Sequence, residues 1–300
     1  MIRKALIILV VFLGGLAFTC GPPQWLFTRV LSPVICPGAV YAVGTSEKVV
    51  ALTIDDGPDL RLGTTNSTTR ILDILQHHNQ QVPKYSAHAT FFLIGNQVRQ
   101  RELLNGGQLD PIISHIIEAG HEIGNHMAND GATILLTDWF YPQFDETHQR
   151  LTPYAQLPGS RYAQVSWFRP GVGWCDRSMV KQISQNPKYS SGKGFNHIAL
   201  GSVWPYDTLQ PWPVVSRWFI RRNIRPGSII ILHDGGSRGD RTAQVLEGLL
   251  QDLSKREYRL VPLSELLIYG NPIAPSQGFP KPIEAIRKRV VIGLETIRLR

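Results

Sequence analysis

Cysteine is scarce in this chain, with three in 300 residues, and no Cys-x-x-Cys unit occurs. That excludes a dense disulfide scaffold and disfavours a thiolate zinc site. No Ser-His-Asp or Cys-His signature stands out, so covalent nucleophilic catalysis has no evident carrier. Internal repeats and low-complexity blocks are missing too. The longest apolar run, residues 5–19, is short of the roughly twenty residues that a membrane span needs. The balance of charge is basic, +8 with a pI near 9.5, yet the basic residues are dispersed and form no nucleic-acid signature. A hydrophobic content of 43% suits one large α/β domain with extensions.

What is present is polar chemistry at the ends of apolar runs. Residues 49–54 form a strand-like run that delivers Asp55 and Asp56 into a Gly57-Pro58 turn. A turn at a strand end swings adjacent carboxylates into one cleft, one for a cation and one for a proton; Asp-Gly-Pro also serves simply to close a loop. His126 and Asp130 lie four apart, and share a face if one helical turn forms there. Asp56, His126 and Asp130 together make three ligands for a divalent metal with a position left open. Two more apolar runs end at Arg169, before Pro170 and Gly171, and at His233, before Asp234 and Gly235. Taken singly, Arg169 reads equally as a structural ion-pair donor and His233 as a capped core histidine. Functional groups collect at the carboxyl ends of parallel strands, so the four clusters read as one site.

On these residues the chain resembles the polysaccharide deacetylases of carbohydrate esterase family 4, over roughly residues 46–267. The family's Asp-Asp-Gly, His-(Ser/Thr)-x-x-(His/Asp), Arg-Pro-Pro-Tyr, Asp-and-Trp and Leu-x-Leu-His motifs match residues 53–58, 126–130, 169–172, 203–212 and 230–233 in order. The resemblance implies a distorted (β/α)7 TIM-like barrel and hydrolysis of an N-acetyl group on a glycan, with zinc as the expected metal. Asp56, His126 and Asp130 would hold the metal, Asp55 would act as general base, Arg169 would position Asp55, and His233 would protonate the leaving amine. The backbone N–H of Val172 would stabilise the oxyanion. Trp204, Trp212 and Leu232 are candidates for lining the substrate pocket, the tryptophans alternatively filling core, and spacing leaves open whether Asp207 orients His233. A glycan-binding module without turnover, or a hydrolase of another acyl amide, are the alternative readings.

The chain departs from the family pattern in several places. Met127 stands where Ser or Thr is usual, Asp130 replaces the commoner histidine, and Gly171 and Val172 replace Pro and Tyr. Two carboxylates and one imidazole would leave a divalent site neutral rather than cationic.

Periodicity places helices at 65–76, 111–119, 178–185 and 241–255, and strands at 49–54, 89–94, 121–123, 167–169, 197–202, 228–232 and 258–261. That alternation by itself argues for a parallel barrel. Arg3 and Lys4 before the apolar run make residues 1–20 a signal peptide or membrane anchor, which sends the domain out of the cytoplasm. Residues 21–45 read as a linker, 46–268 as the catalytic domain and 269–300 as a basic tail able to form an amphipathic helix. Cys36 and Cys175 are able to pair in an oxidising compartment if Cys20 is removed or modified. A monomer acting on an N-acetylated glycan, with membrane association only through the amino-terminal segment, is the expected state.

Overall fold

The computed structural model describes residues 36–131, 137–185 and 197–273. The expected signal or anchor, Cys20 and nearly all of the basic tail lie outside these residues. In chain order the elements are β1 (Val43–Gly44), β2 (Val49–Gly57), α1 (Ser67–Gln81), β3 (Ala89–Leu93), α2 (Gly95–Leu104), α3 (Pro111–Glu118) and β4 (Glu122–Asn125). There follow α4 (Thr137–Ala155), α5 (Arg177–Gln185), α6 (Pro213–Asn223), β5 (Ile229–His233), α7 (Gly236–Lys255), β6 (Arg259–Val261), α8 (Leu263–Leu266) and β7 (Asn271–Pro272).

β2 is the axis of the molecule. All nine of its residues are buried, as befits a strand covered on both faces by helices and neighbouring strands. It pairs in parallel with β5 on one edge, in a register that sets Asp55 opposite His233. On the other edge it pairs with β3 along its upper part and with β6 along its lower part. β4 extends the sheet from β3. Single parallel pairings then carry the ring from Asn125 to Phe168, from Phe168 to Ile198, and from Val203 back to Ile230 on β5.

Each strand segment read from the sequence therefore has a place in the ring, which is a distorted barrel of the (β/α)7 type. The segments 167–169 and 197–202 contribute isolated pairings rather than ladders. Pro170 has no N–H to continue the first, and Gly201, at φ 74°, turns the second away.

The helices differ more from expectation. α1 starts at Ser67 because Asn66 caps it, accepting from the Thr69 N–H, and it runs on to Gln81 through polar residues on its outer face. α7 begins at Gly236, five residues before 241, where two successive glycines read as loop. α2, α4 and α6 were not anticipated: α4 carries Pro142 and Pro153 inside it, α6 opens on Pro213, and α2 has almost no amphipathic pattern. Residues 36–45 are no linker. Val40 and Val43 are buried, Val40 pairs with Ala199 and Ala42 with Ser228, and β1 pairs with β7, beyond the expected boundary at 268. Apolar residues in that stretch complete a third core cluster with Trp167 and Ala199. Cys36 and Cys175 are joined in a disulfide, with Cα atoms 5.5 Å apart.

Candidate active site

β2 ends at Gly57, β3 at Leu93, β4 at Asn125 and β5 at His233, and the parallel sheet presents all these ends at one face. The clusters read from the sequence meet there. Asp56 sits in the left-handed region at φ 64°, a conformation Asp tolerates better than most residues. That turn separates the two carboxylates: Asp55 faces Arg169 and Asp56 faces His126.

Arg169 is fully buried and donates from Nη1 to Asp55 Oδ1 at 2.5 Å and to Thr53 Oγ1 at 2.7 Å, and from Nε to the Ala199 carbonyl at 2.8 Å. Its guanidinium lies over the Phe92 ring, 4.2 Å from the centroid. Burial pulls the guanidinium pKa below its ordinary value, and the Asp55 carboxylate opposes this. Gly124 makes the stack possible, since a Cβ there would lie 2.6 Å from the Phe92 ring.

One ligand atom from each of Asp56, His126 and Asp130 lies within 4.8 Å of the others. His126 Nδ1 lies 2.8 Å from the Arg169 carbonyl oxygen, which only accepts, so Nδ1 carries the proton and Nε2 turns its lone pair to Asp56 Oδ1 at 3.3 Å. Asp56 Oδ1 is buried and receives no hydrogen bond. A second imidazole proton on Nε2 or a cation bound between the two atoms satisfies this pair. Burial disfavours a charged imidazole at His126, but Asp56 and Asp55 outweigh it and raise the pKa. For Asp56, burial pushes up, while His126, His233 and Arg238 together bring the carboxyl below its usual range. The donor set of two carboxylates and one imidazole fits a divalent cation such as zinc.

His233 is the last residue of β5. Its Nδ1 donates to Asp207 Oδ2 at 2.9 Å, and its backbone N–H reaches the same oxygen at 3.1 Å. Burial lowers the imidazole pKa, but Asp207 overrides it and, with Asp55 and Asp56, pushes it up to about 9. Asp207 thus contacts both the ring and the backbone nitrogen of His233, a pairing that spacing left open.

Other expected residues take different places. The Val172 N–H donates to Asp130 Oδ1 at 2.8 Å, so the metal-loop carboxylate holds it and it does not stand open toward an oxyanion. Leu232 is wholly buried in the main apolar core. Trp204 stacks on Tyr206, centroids 4.8 Å apart, and Trp212 is 63% exposed ahead of α6. Met127 is buried in an apolar cluster with Phe140 and Phe168, so a hydrophobic anchor holds the metal loop where a hydroxyl is usual. The α2 terminus clamps the same loop, through Gly95 N–H to the Met127 carbonyl and Asn96 N–H to that of Ala128.

Several participants escaped the sequence reading. Thr53, polar in an apolar strand, was the one with a visible signal. Arg238, on the first turn of α7, donates to Asp56 Oδ2 at 2.7 Å. Asp234 is buried, accepts from Thr68 Oγ1, and lies 2.5 Å from Ser67 Oγ, which also contacts Asp59 Oδ2 at 2.8 Å. The single hydroxyl hydrogen is shared between the two carboxylates, an arrangement that favours a proton on one of them. Burial raises the Asp234 pKa, whereas bonds from Arg61 and Ser67 outweigh burial at Asp59 and hold it far below its usual range. Beside the carboxylates lies a cavity of about 610 Å³ lined by Asp56, Asn96, Gln97, Asn129, Asp130 and Arg238, among others.

Comparison with known proteins places this geometry in a familiar setting. The polysaccharide deacetylase family model matches residues 42–189. A peptidoglycan-N-acetylglucosamine deacetylase of Bacillus cereus is 29% identical over 240 residues, covering 76% of this chain and 92% of the relative. A second protein of that description from the same organism is 30% identical over 224 residues, covering 72% and 67%. Among solved structures, a carbohydrate esterase family 4 pseudoenzyme from Bacillus anthracis is 25% identical, with 78% of this chain and 70% of that chain covered and a TM-score of 0.58.

Proposed function

We propose, because this chain belongs to the polysaccharide deacetylase family (carbohydrate esterase family 4), that it hydrolyses N-acetyl groups from a glycan containing N-acetylglucosamine, of peptidoglycan or chitin type. The reading rests on one observation: three metal-ligating atoms within 4.8 Å of one another, flanked by an Arg169-held carboxylate and an Asp207-held imidazole.

Asp56 through Oδ1, His126 through Nε2 and Asp130 would hold the divalent ion, zinc by donor set. When bound, such an ion polarises the acyl oxygen and acidifies water. Asp55, fixed by Arg169, takes the proton of the attacking water as that oxygen bonds to the acetyl carbon. His233, protonated at neutral pH, gives its Nε2 proton to the glucosamine nitrogen as the C–N bond breaks, releasing acetate and a free amine. Asp207 keeps the ring turned for that transfer, and Val172 contributes by steadying Asp130.

The domain acts outside the cytoplasm in this reading. The Cys36–Cys175 disulfide supports an oxidising compartment, and the basic-flanked apolar run of residues 5–19 supports export or anchoring.

Acetate release from N-acetylated chito-oligosaccharides and peptidoglycan, with and without a chelator, tests the proposal against an Asp55→Asn variant. Chelator-sensitive release lost in the variant supports it. The engaged Val172 N–H and the likeness to a pseudoenzyme favour a second reading, a glycan-binding module without turnover. Metal retention and glycan binding with no release from any substrate would establish that one instead.

A further inference from the structure

Arg238 is the one cation among the described residues that forms an ion pair with a candidate metal ligand, and its placement is built rather than incidental. Gly235 and Gly236, at φ 81° and 56°, turn the chain sharply from β5 into α7, and a Cβ at Gly235 would lie 3.4 Å from the Asp56 carbonyl oxygen. This turn brings Arg238 over the end of β2, where Nη1 reaches Asp56 Oδ2 at 2.7 Å. Gln97 holds the Asp56 backbone from the other side once its amide nitrogen is turned toward the carbonyls of Asp56 and Pro58, 2.9 and 2.7 Å away. The Asp56 carboxylate is thereby divided. Oδ2 belongs to Arg238, and only the unbonded, buried Oδ1 faces His126 Nε2.

We propose that Arg238 is a positioning residue that restricts Asp56 to one-oxygen ligation and tunes the charge of the metal site. The inference rests on the metal reading above. Two carboxylates cancel the charge of a divalent ion, which leaves the ion, Asp56, His126 and Asp130 neutral as a group. Arg238 returns one positive charge at hydrogen-bond distance from a ligand. A cation there repels the metal and draws electron density from the ligating carboxylate, so the ion binds less tightly and keeps more of its polarising power. The arginine has freedom to do this without being a core residue: its side chain is 41% exposed and lines the cavity beside Asp130.

The test is metal affinity and geometry in the full chain, with Arg238→Gln and Arg238→Lys. Gln removes the charge and, two bonds shorter than Arg, withdraws the donor from Oδ2, while Lys keeps the charge with a single donor. Dissociation constants for Zn²⁺ and Co²⁺ are measured by competition with a chromophoric chelator, and the visible spectrum of the Co²⁺ form reports coordination number. Arg238→Gln is expected to bind Zn²⁺ about tenfold tighter, the scale of one partly screened charge at this range, and to show a higher-coordinate Co²⁺ spectrum as Asp56 becomes free to use both oxygens. Arg238→Lys is expected to stay within about threefold of the wild type. Unchanged or weaker binding by Arg238→Gln, with its circular dichroism and the wild-type Co²⁺ spectrum preserved, overturns the assignment. Failure of the wild type to take up one divalent ion per chain overturns the metal reading itself, which separates the two.

Discussion

Asp207 accepts two hydrogens of His233 through one oxygen, the ring Nδ1–H at 2.9 Å and the backbone N–H at 3.1 Å. The carboxylate fixes the orientation of the imidazole and the nitrogen that faces the cleft, and it supplies the charge that keeps the ring protonated.

An Asp207→Asn variant is therefore expected to lose about 10- to 1,000-fold in kcat, the range of a misdirected general acid. The pH profile gives a sharper readout. The raised pKa of about 9 means that His233 is competent below that value and loses its proton as pH rises through it. In the variant the alkaline limb should move down toward the unperturbed histidine range near 6.5. An unmoved limb with reduced rate would show that another group sets it.

Burial raises the pKa of Asp234 in the Ser67 and Thr68 network, which favours the protonated acid. Asp234→Asn supplies an amide donor to Ser67 and an acceptor for Thr68, so it should leave the melting temperature within a few degrees of the wild type. Asp234→Ala orphans both hydroxyls and should cost about 2–4 kcal/mol in urea unfolding. Equal losses in the two variants would mean that the buried carboxylate is ionised.

His121 is fully buried and accepts the Ala89 N–H at Nδ1, 3.1 Å away, which requires the neutral ring. Burial, reinforced by His88 and His115, lowers its pKa to about 3. The unfolded chain takes up this proton below about 6.5 and the folded chain does not. Stability from this residue is thus complete above pH 6.5 and falls with acidification toward 3, by up to about 1.4 kcal/mol per pH unit. His121→Asn keeps an acceptor at the Nδ1 position and cannot titrate. Urea midpoints at pH 7 and pH 5 should draw closer together in the variant, and an identical acid loss would assign the sensitivity elsewhere.

The Cys36–Cys175 bridge closes a loop with a sequence separation of 139 and ties the amino-terminal entry to the segment before α5. Reduction, or Cys36→Ser, should lower stability by about 2–5 kcal/mol. Thermal melts with and without reductant measure this, and the variant should be insensitive to reductant. A wild type that melts equally under both conditions would contradict a stabilising bridge.

Much of this protein was legible in one dimension. Three apolar strand runs end in polar side chains, at Asp55 and Asp56, at Arg169 and at His233, so these candidates were visible in the sequence and their shared face followed from parallel pairing. Helix α1 was found and its boundary missed, because capping by Asn66 is a matter of a single hydrogen bond. α4 and α6 went unseen because their prolines and weak periodicity obey tertiary packing rather than local preference.

What the sequence determined by itself is the set of candidate groups and the strand ends that carry them, since strand periodicity and turn chemistry are local properties of the chain. Only the tertiary structure decided which groups touch. Asp207 on His233, Arg238 on Asp56, Val172 on Asp130 and Cys36 on Cys175 join residues 26 to 182 positions apart. Such pairings depend on the closure of the barrel and the direction of its loops, and no short-range pattern in a chain encodes a distance across its own fold.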